Sequence, residues 1–424
     1  MTLNEWLSEL EKRHSQEIDL GLDRIRTVFD ALNIADKLPR IVTVAGTNGK
    51  GSTLQAIVEG LHSVGVRTAS YISPHFHRFN ERIVLGHSEL DDESIVAAFE
   101  QVEKARHQVS LSYFEFTTLA AFVAFSKEFL AGRLDVAVLE VGLGGRLDAV
   151  NIVDADVAIV TSIGLDHQDW LGDTLEQIAR EKAGVFRKHQ ASYIGETFPP
   201  SVRLELNNND IYPAMYLREF GSWSVLSEGA VFDYKGSEVV LNCFADNDLP
   251  HNNLALAMQA CLKIFELSQQ EFESNQLELC AQAISKTQVS GRLERVSENP
   301  EILFDVAHNG AAAKLLSSHL KQKYLGRKLI AVFSCLKDKD LREIVLALDG
   351  VITQWHIAEL DGPRARPLEE MSSQMIGMSQ EVCTFNSLKE AFEGAKSIAM
   401  SSGAVVVVFG SFFVIEALRE QVKS

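Results

Sequence analysis

A chain of 424 residues is longer than one hydrophobic core usually supports, so two domains are expected, with three as the alternative. With 46% hydrophobic and 23% charged residues, the composition is typical of a folded water-soluble protein. The formal net charge of -18 would repel a phosphate backbone, which excludes nucleic acid as an expected partner.

The cysteines and the N-terminal stretch bear on location. The five cysteines are scattered and form no CxxC pair, which favours a reducing, cytoplasmic compartment over a disulfide framework or a zinc site. No apolar run approaches the ~20 residues that span a bilayer. The stretch MTLNEWLSELEKRH is too charged for a signal peptide, so neither export nor a membrane partner is expected.

Apolar runs of strand length alternate with helical patterns from residue 39 to residue 184. The strand candidates are RIVTVAG, RLDVAVLEVG and ADVAIVTSIG. Such alternation predicts a parallel sheet with crossover helices, which is an α/β domain.

A mixed segment follows, in which GAVFDYKGSEVVLNCF (residues 229–244) predicts a small β extension of the first domain. Helical patterns cover residues 252–267 and 277–285. A second alternating set contains the strand candidates EILFDVAH, KLIAVFS, VITQWHIA and AVVVVFG. We therefore predict an N-terminal domain over residues 1–286 and a C-terminal α/β domain over residues 287–424, with the boundary near residues 284–292.

The glycine-rich stretch VTVAGTNGKGS, residues 42–52, joins a predicted strand to a predicted helix. The helical face after it is formed by Leu54, Ile57, Val58 and Leu61. At such a junction backbone N–H groups and the helix dipole bind anions, while Lys50 supplies charge and Ser52 is placed to ligate Mg²⁺. The spacing departs from GxxxxGK[ST], with two residues between Gly46 and Gly49 and Gly51 before Ser52. The alternative interpretation is a tight strand-to-helix turn with a surface lysine.

The segment LGDTLEQIAREKAGVF, residues 171–186, predicts a helix that carries a lysine on its apolar face. Thr174 and Gln177 have capping-box spacing, and Gly184 is the expected C-cap. The apolar residues of this face are Leu175, Ile178 and Ala179. Lys182 occupies the next matching position, and because an unpaired buried ammonium is costly, it must reach water, pair with an anion, lose its proton or be modified. The alternative is a last-turn lysine favoured by the helix dipole.

Polar side chains follow two predicted strands of this domain. Glu140 ends one strand and precedes a glycine-rich turn with Arg146 and Asp148, while Asp166 and His167 follow the next strand. Since ligands bind at the carboxyl ends of strands in open α/β sheets, Glu140, His167 and the phosphate loop are expected to converge on one metal. Taken singly, such residues are more often hydrogen-bonded loop residues. The GLGG in the turn lacks GxGxxG spacing, so a nicotinamide enzyme is rejected.

The C-terminal domain contains a second polar pair after a strand. In LFDVAHNG, Asp305 and His308 follow the apolar run. A structural turn explains both residues, and on the residues alone we prefer that interpretation.

Taken together, the chain resembles the Mur-ligase-like ATP-dependent amide ligases and, among them, the folylpolyglutamate synthases and bifunctional dihydrofolate synthases. The matching segments, in chain order, are HSQEIDLGLDRI, VTVAGTNGKGS, YISPHFHRFNERI, FEFTTLAAF, EVGLGGRLDAVNIV, TSIGLDHQDWLGDTLEQIAREKAGVFR, SGRLE, DVAHN and LKDKDL. The resemblance implies an N-terminal P-loop ATPase domain with a mainly parallel sheet and a small β extension, and a Rossmann-like C-terminal domain. It also implies a monomeric ligase that joins L-glutamate to dihydropteroate and to tetrahydrofolate through an acyl phosphate, releasing ADP and phosphate.

The resemblance further implies roles for individual residues. The triphosphate and one Mg²⁺ would be held by Thr47, Asn48, Gly49, Lys50, Gly51 and Ser52. A second Mg²⁺ would be held by Ser73, Glu140 and His167. Further ATP contacts would be Asn253, Arg292 and Asp305. The pterin would contact Asp19, Leu20, Gly21, Phe114, Glu115, Phe116, Thr117, Leu147, Asp148 and Ala149, and the incoming glutamate His308 and Ser411.

Lys182 resembles the lysine that this family carries as a carbamate, N6-carboxylysine. Carbamylation would convert a buried cation into an anion beside metal and substrate, and Lys50, Lys182, His167 and Glu140 would be the catalytic groups. Two departures are visible. Gly310 stands where the family usually has proline, which predicts a looser turn without lost chemistry, and Ser290 stands where proline is common, a minor change.

Three other functions fit the sequence less well. A Mur-type ligase acting on a cell-wall nucleotide precursor is disfavoured by DLGLDRI and FEFTTLAAF, which stand where the folate branch has its pteridine site. A P-loop switch or transport ATPase leaves Lys182 and DVAHN unexplained. A non-catalytic folate-binding protein would need no intact phosphate loop.

Overall fold

The computed structural model describes residues 1–14, 19–209, 215–216, 224–226, 229–231, 249–268, 273–378 and 381–422. The chain divides into two units, Met1–Thr287 and Gln288–Ser424. Both units are built on sheets whose central strands are parallel, as the alternating pattern predicted.

The helices of the first unit are α1 (Leu3–Arg13), α2 (Asp23–Leu32), α3 (Lys50–Ser63), α4 (Asp92–Arg106), α5 (Tyr113–Leu130), α6 (Gln168–Leu171), α7 (Leu175–Ala183), α8 (Pro200–Asn208), α9 (His251–Leu267) and α10 (Ser274–Ser285). Its strands are β1 (Arg40–Ala45), β2 (Thr68–Tyr71), β3 (Ile83–Leu85), β4 (Ser88–Glu89), β5 (Val136–Glu140), β6 (Val157–Val160), β7 (Ala191–Ile194), β8 (Met215–Tyr216), β9 (Ser224–Leu226) and β10 (Gly229–Val231). Short 3-10 helices span Ala35–Lys37, Phe79–Arg82 and Ala149–Ile152.

The main sheet of the first unit has the order β4-β3-β2-β5-β1-β6-β7-β8. The strands from β2 to β8 in this order are parallel, and β3 and β4 add an antiparallel edge. The strands β9 and β10 form a separate antiparallel pair, and the remainder of the predicted β extension, residues 232–244, lies outside the described residues.

The helix after the glycine-rich stretch buries the predicted face. Leu54, Ile57, Val58 and Leu61 are all buried, and α3 packs against α9 and α10. Gly60 lies so close to α10 that a Cβ there would stand 2.8 Å from Ile284. Burial on this face fixes the start of α3 against the sheet, which positions the phosphate loop.

The second unit contains a six-stranded sheet of order β11-β12-β16-β13-β14-β15, in which only the β11–β12 pair is antiparallel. Its strands are β11 (Glu294–Glu298), β12 (Glu301–Phe304), β13 (Leu329–Phe333), β14 (Gln354–Ile357), β15 (Val382–Thr384) and β16 (Val405–Phe409). Its helices are α11 (Gly310–Lys323), α12 (Leu341–Ala347), α13 (Leu368–Met375), α14 (Leu388–Ser402) and α15 (Phe412–Val422). Phe333 lies at the centre of its core, with ring centroids 5.5 Å from Trp355 and 5.1 Å from Phe409.

Among the described helices, none combines the length and the apolar character required to cross a membrane.

Candidate active site

The glycine-rich loop between β1 and α3 requires glycine at two positions. Gly46 and Gly49 have positive φ angles of 145° and 86°. A Cβ at Gly46 would lie 1.9 Å from Thr161 Oγ1, and a Cβ at Gly49 would lie 2.6 Å from Asn253 Nδ2. The backbone therefore approaches its neighbours more closely than a side chain would allow.

The loop is held by the chain that follows β6. The Thr47 backbone N–H donates to Ser162 O at 2.9 Å, and the Asn48 N–H donates to Ser162 Oγ at 2.9 Å. Thr161 Oγ1 in turn donates to Asn48 O at 2.6 Å. The loop conformation is thus fixed by the protein's own bonds before any ligand is considered.

Lys50 is the first residue of α3 and folds back over this loop. Its Nζ donates to Gly46 O at 3.1 Å and to Thr47 O at 3.4 Å. The ammonium is therefore held beside the N-terminus of α3, where an anion would also meet the helix dipole. This arrangement disfavours the alternative of a plain turn with a surface lysine.

Asn253, a predicted ATP contact, lies on α9 against Gly49. It is 5% exposed, and among the described residues its Nδ2 has no hydrogen-bond partner. A buried amide donor without an acceptor is costly. Its position against the loop fits an oxygen acceptor supplied by a ligand.

The predicted metal ligands lie around the same sheet edge. Glu140 ends β5, is buried, and accepts the Ser73 N–H at 3.3 Å. Its carboxylate would be 3.9 Å from a Cβ at Gly51, so it lies beside the first turn of α3, where Ser52 is also buried. His167 follows β6, the neighbour of β1, and is the N-cap residue of α6, with a left-handed φ of 51°.

Glu140 and Ser52 fit a magnesium ion by their chemistry. Carboxylate and hydroxyl oxygens are hard donors of the type that Mg²⁺ prefers, and Mg²⁺ usually completes its shell with water and phosphate oxygens. No cluster of three or more His, Cys, Asp or Glu side chains suited to a metal occurs in the described part of the chain. Phosphate and water oxygens would therefore supply much of the shell.

Lys182 is 4% exposed, with Ile178, Ala179 and Ala183 buried on the same helix. Burial, reinforced by the positive charge of Lys50, lowers the pKa of Lys182 to about 7, against the opposing effect of Asp166 and Asp148. Lys182 is therefore not solvated, but it does lie in the last turn of its helix, so the alternative of a last-turn lysine favoured by the helix dipole stays open.

The helix that carries Lys182 has the predicted capping box, because Thr174 Oγ1 accepts the Gln177 N–H at 3.3 Å and the Gln177 side chain bonds back. It ends at Ala183, with Gly184 as C-cap in right-handed conformation. A Cβ at Gly184 would lie 2.3 Å from Arg146 Cβ. One prediction was wrong: Leu175, the first residue of the helix, is 43% exposed, because burial along this stripe begins only at Ile178.

Asp148, a predicted pterin residue, organises its own loop. Its carboxylate accepts the Leu143 N–H at 2.8 Å and the Val150 N–H at 2.9 Å. Burial raises the pKa of Asp148 to about 6, and the bonds from backbone N–H groups oppose that shift. The side chain therefore holds the turn that presents Leu147 and Ala149.

The three predicted pterin segments are linked by contacts that the sequence did not reveal. Arg24 bonds to both Asp19 and Glu115. Phe114 stacks on Tyr71 at 6.0 Å, and its ring would meet a Cβ at Gly142 at 2.8 Å. The segment 19–21 is thus tied to the segment 114–117, which lies against the turn that Asp148 holds.

Other members of the predicted pterin set lie deeper. Phe116 is 1% exposed and packs edge-on against Phe99 at 5.4 Å, so it is a core residue. Thr117 is fully buried, with Oγ1 3.1 Å from the hydroxyl of Tyr71. Sequence reasoning missed Arg24 and Tyr71, although both lie inside quoted family segments.

In the second unit, the predicted residues Asp305 and His308 follow β12, and Ser411 follows the adjacent strand β16. The predicted ATP contact Arg292 lies before β11. Asp305 accepts the Leu293 N–H at 2.9 Å and the Ala307 N–H at 2.8 Å. Burial raises its pKa, which the positive charge of Arg292 opposes. His308 Nδ1 donates to Val306 O at 2.8 Å, and Ser411 Oγ accepts the Phe413 N–H at 3.2 Å at the start of α15.

The prediction of a looser turn at Gly310 is wrong. The helix α11 begins at Gly310, and Asn309 caps it by accepting the Ala312 N–H at 2.9 Å. A Cβ at Gly310 would lie 2.2 Å from Glu343 Oε2 and 3.0 Å from Glu343 Cβ. Glu343 of α12 thus occupies the space that a proline ring at position 310 would need. The turn is held by the Asn309 cap.

Models of two protein families match the chain. The Mur ligase middle domain matches residues 44–197, and the glutamate ligase domain of Mur ligases matches residues 291–412.

Curated relatives match over nearly the full length. The dihydrofolate synthase/folylpolyglutamate synthase of Escherichia coli (strain K12) is 37% identical over 418 residues, which cover 99% of this chain and 95% of that protein. The protein of the same name from Haemophilus influenzae is 37% identical over 427 residues, covering 97% and 96%.

Two solved structures match the chain over its full length. E. coli FolC in complex with DHPP and ADP matches with a TM-score of 0.89 at 36% identity, covering 100% of this chain and 98% of that one. The bifunctional folylpolyglutamate synthase/dihydrofolate synthase of Yersinia pestis, complexed with AMPPNP and Mn ion, matches with a TM-score of 0.87 at 35% identity, with coverage of 100% and 98%.

Proposed function

Because the chain belongs to the Mur ligase family, and within it to the dihydrofolate synthase/folylpolyglutamate synthase group, we propose that it joins L-glutamate to dihydropteroate and to tetrahydrofolate in an ATP-dependent reaction. The structural observation that carries this proposal is the buried Lys182, which lies within electrostatic reach of the phosphate-loop lysine, Lys50. A switch or transport ATPase has no use for such a lysine. The full-length likeness to the folate ligases also disfavours a cell-wall ligase or a non-catalytic binding protein.

The chemistry begins from an unreactive carboxylate. An oxygen of the pterin substrate's carboxylate attacks the γ-phosphorus of ATP, the bond to the β-phosphate oxygen breaks, and ADP leaves, so that an acyl phosphate remains. Negative charge gathers on the transferring group during this step. Lys50 and the backbone N–H groups at the start of α3 offset that charge from positions already fixed by the fold.

The amine of glutamate then attacks the acyl carbon. The amide forms, the former carboxylate oxygen leaves with inorganic phosphate, and the amine loses its proton. Asn253 would donate its buried N–H to the nucleotide. We assign further ATP contacts to Arg292 and Asp305, and contacts with the incoming glutamate to His308 and Ser411.

Two magnesium ions are part of the proposal, one at Ser52 and one at Ser73, Glu140 and His167. When bound, they would supply positive charge to phosphate and carboxylate oxygens. The buried carboxylate of Glu140 beside the first turn of α3 supports this assignment, as does the manganese ion named for the Yersinia relative.

Lys182 is proposed to act as its carbamate. Its pKa of about 7 leaves much of the amine uncharged at neutral pH, and the uncharged amine is the form that reacts with CO₂. A bond forms between Nζ and the carbon of CO₂, and the amine releases one proton, so the product is an anion. This anion and the positive charge of Lys50 stabilise each other. Without the carbamate, the protonated fraction of Lys182 would be a buried positive charge beside Lys50.

We also propose that the protein is a cytoplasmic monomer whose partners are its small-molecule substrates. The described cysteines are free, and three of them are buried, which suits a reducing compartment.

The proposal is tested by phosphate release from Mg-ATP with L-glutamate and either dihydropteroate or tetrahydrofolate, each component being omitted in turn while product masses are recorded. Release should require both co-substrates, and the product should gain one glutamyl residue. Equal ATP consumption without pterin or glutamate would refute the ligase assignment. The pterin that is accepted shows which of the two activities is present.

A further inference from the structure

We propose that Arg24 is a positioning residue for the pterin substrate, one that assembles the pterin-binding segments of the first unit without itself taking part in the chemistry. This inference rests on the proposed function, since the segments that Arg24 joins are those assigned to the pterin. Arg24 lies on the first turn of α2.

The guanidinium of Arg24 contacts Asp19 at two atoms. Its Nη1 lies 2.8 Å from Asp19 Oδ2, and its Nη2 donates to the backbone O of Asp19 at 3.0 Å. This fixes both the side chain and the main chain at the start of the segment 19–21. His14 holds the same carboxylate from the other side, with Nε2 3.1 Å from Asp19 Oδ2.

The same guanidinium reaches a second segment. Arg24 Nη2 donates to Glu115 Oε1 at 3.1 Å. Glu115 is 3% exposed, and its other oxygen, Oε2, accepts the Ser112 N–H at 2.7 Å in the capping box of α5. A carboxylate buried to this degree needs a positive partner, and Arg24 is the partner that the structure provides.

Arg24 therefore couples two parts of the chain that share no secondary structure. Its two bonding directions require the planar fork of a guanidinium, because a single ammonium cannot bond Asp19 and Glu115 with the same geometry. Phe114 lies next to Glu115 and contacts the Gly142 turn. A displacement of either segment would change the surface offered to the pterin ring, while the phosphate loop would remain in place.

The test compares four forms of the full-length enzyme: wild type, Arg24→Gln, Arg24→Lys and Arg26→Gln. Arg26 is a matched control, since it lies on the same helix but is exposed. For each form, KM is measured separately for dihydropteroate, ATP and glutamate, together with kcat and Tm.

For Arg24→Gln we expect KM for dihydropteroate to rise about tenfold or more, while KM for ATP and for glutamate and kcat change by no more than about threefold. Arg24→Lys should give an intermediate KM, because charge is kept and the fork is lost. Arg26→Gln should match wild type. An unchanged KM for dihydropteroate in Arg24→Gln overturns the proposal, and so does a parallel rise in all three KM values, which would indicate a general structural role.

If Arg24→Gln fails to fold, the double variant Arg24→Gln/Glu115→Gln replaces it. This variant has no uncompensated buried carboxylate, yet the two bonds to Asp19 are still missing. It should fold, and its KM for dihydropteroate should be well above that of Glu115→Gln alone. Equal KM values for these two forms overturn the proposal. Failure of the proposed function is distinguishable, because wild type would then release no phosphate in response to either pterin.

Discussion

The carboxyl edges of the two sheets use their polar residues differently. In the first unit, the residues around β1, β5 and β6 hold two lysines, Lys50 and Lys182, close enough for the charge of one to lower the pKa of the other. In the second unit, Asp305 and Ser411 use their oxygens to accept backbone N–H groups of their own loops. The first edge therefore gathers charges of both signs, Lys50 and the buried Lys182 with the buried Asp148 and Asp166, whereas the residues at the second edge mainly hold the backbone of their own loops.

The largest effect is expected from a substitution of Lys50. In Lys50→Ala the transferring phosphoryl group loses its fixed cation, so turnover should fall by about a hundredfold to a thousandfold. The measurement is glutamate-dependent phosphate release, with Tm recorded alongside. Lys104→Ala, at an exposed position of α4, is the control and should retain activity. An unchanged rate in Lys50→Ala would contradict the assignment of the phosphate loop.

Lys182 tests whether the second charge at this edge is a carbamate. Lys182→Ala should be nearly inactive, because neither lysine nor carbamate remains, and short carboxylic acids should restore part of the activity by replacing the lost anion. Activity is measured with and without added acid. Intact-mass spectra of wild type should show a species heavier by one CO₂, and the lack of both rescue and adduct would count against carbamylation.

The pH dependence of the carbamylation of Lys182 is a second test of this modification. Because burial lowers the pKa of Lys182 to about 7, the uncharged amine increases as pH rises through that value. Recovery of activity by bicarbonate-depleted enzyme after addition of bicarbonate should therefore increase across the neutral range. A requirement for pH near 10.5, the ordinary lysine pKa, would show that the amine is solvated.

A smaller effect is expected at the second edge, where Gly310 contacts Glu343. The backbone of Asn309, at φ -142° and ψ 167°, suits a following proline, and proline is favoured at a first helical position. Gly310→Pro should nevertheless lower the free energy of unfolding by about 1 kcal/mol, because its ring collides with Glu343. Glu343→Ala should relieve that loss in the double variant.

Urea unfolding of wild type, Gly310→Pro, Glu343→Ala and the double variant measures the interaction between these two positions. Glu343→Ala alone should be nearly neutral, since its side chain is 50% exposed. If the changes in the free energy of unfolding caused by Gly310→Pro and Glu343→Ala are strictly additive in the double variant, Glu343 does not occupy the space of the proline ring.

Local sequence patterns were sufficient for much of the fold and part of the site. The apolar run before Gly46 predicted β1, and the period of Leu54, Ile57 and Leu61 predicted the buried face of α3, because both depend on neighbours along the chain. Lys182 was found in the same way, by its place on a helical stripe. Leu175 was misassigned because periodicity alone does not show where along a helix burial begins.

The remaining features depend on residues far apart in sequence. Nothing near Gly310 signals that Glu343 from another helix fills its space. Likewise the bond between Arg24 and Glu115 joins segments whose separation in the chain leaves no periodic trace. The sequence could therefore suggest which residues face a ligand, but not the contacts that hold them in position.

The central claim is that ATP activates the pterin carboxylate as an acyl phosphate. Dihydropteroate whose carboxylate carries a heavy oxygen isotope tests this directly, by mass spectrometry of the phosphate released in the presence of ATP and glutamate. One labelled oxygen should pass from the carboxylate to each phosphate. Unlabelled phosphate would mean that water, and not the carboxylate, attacks ATP, and would contradict the mechanism.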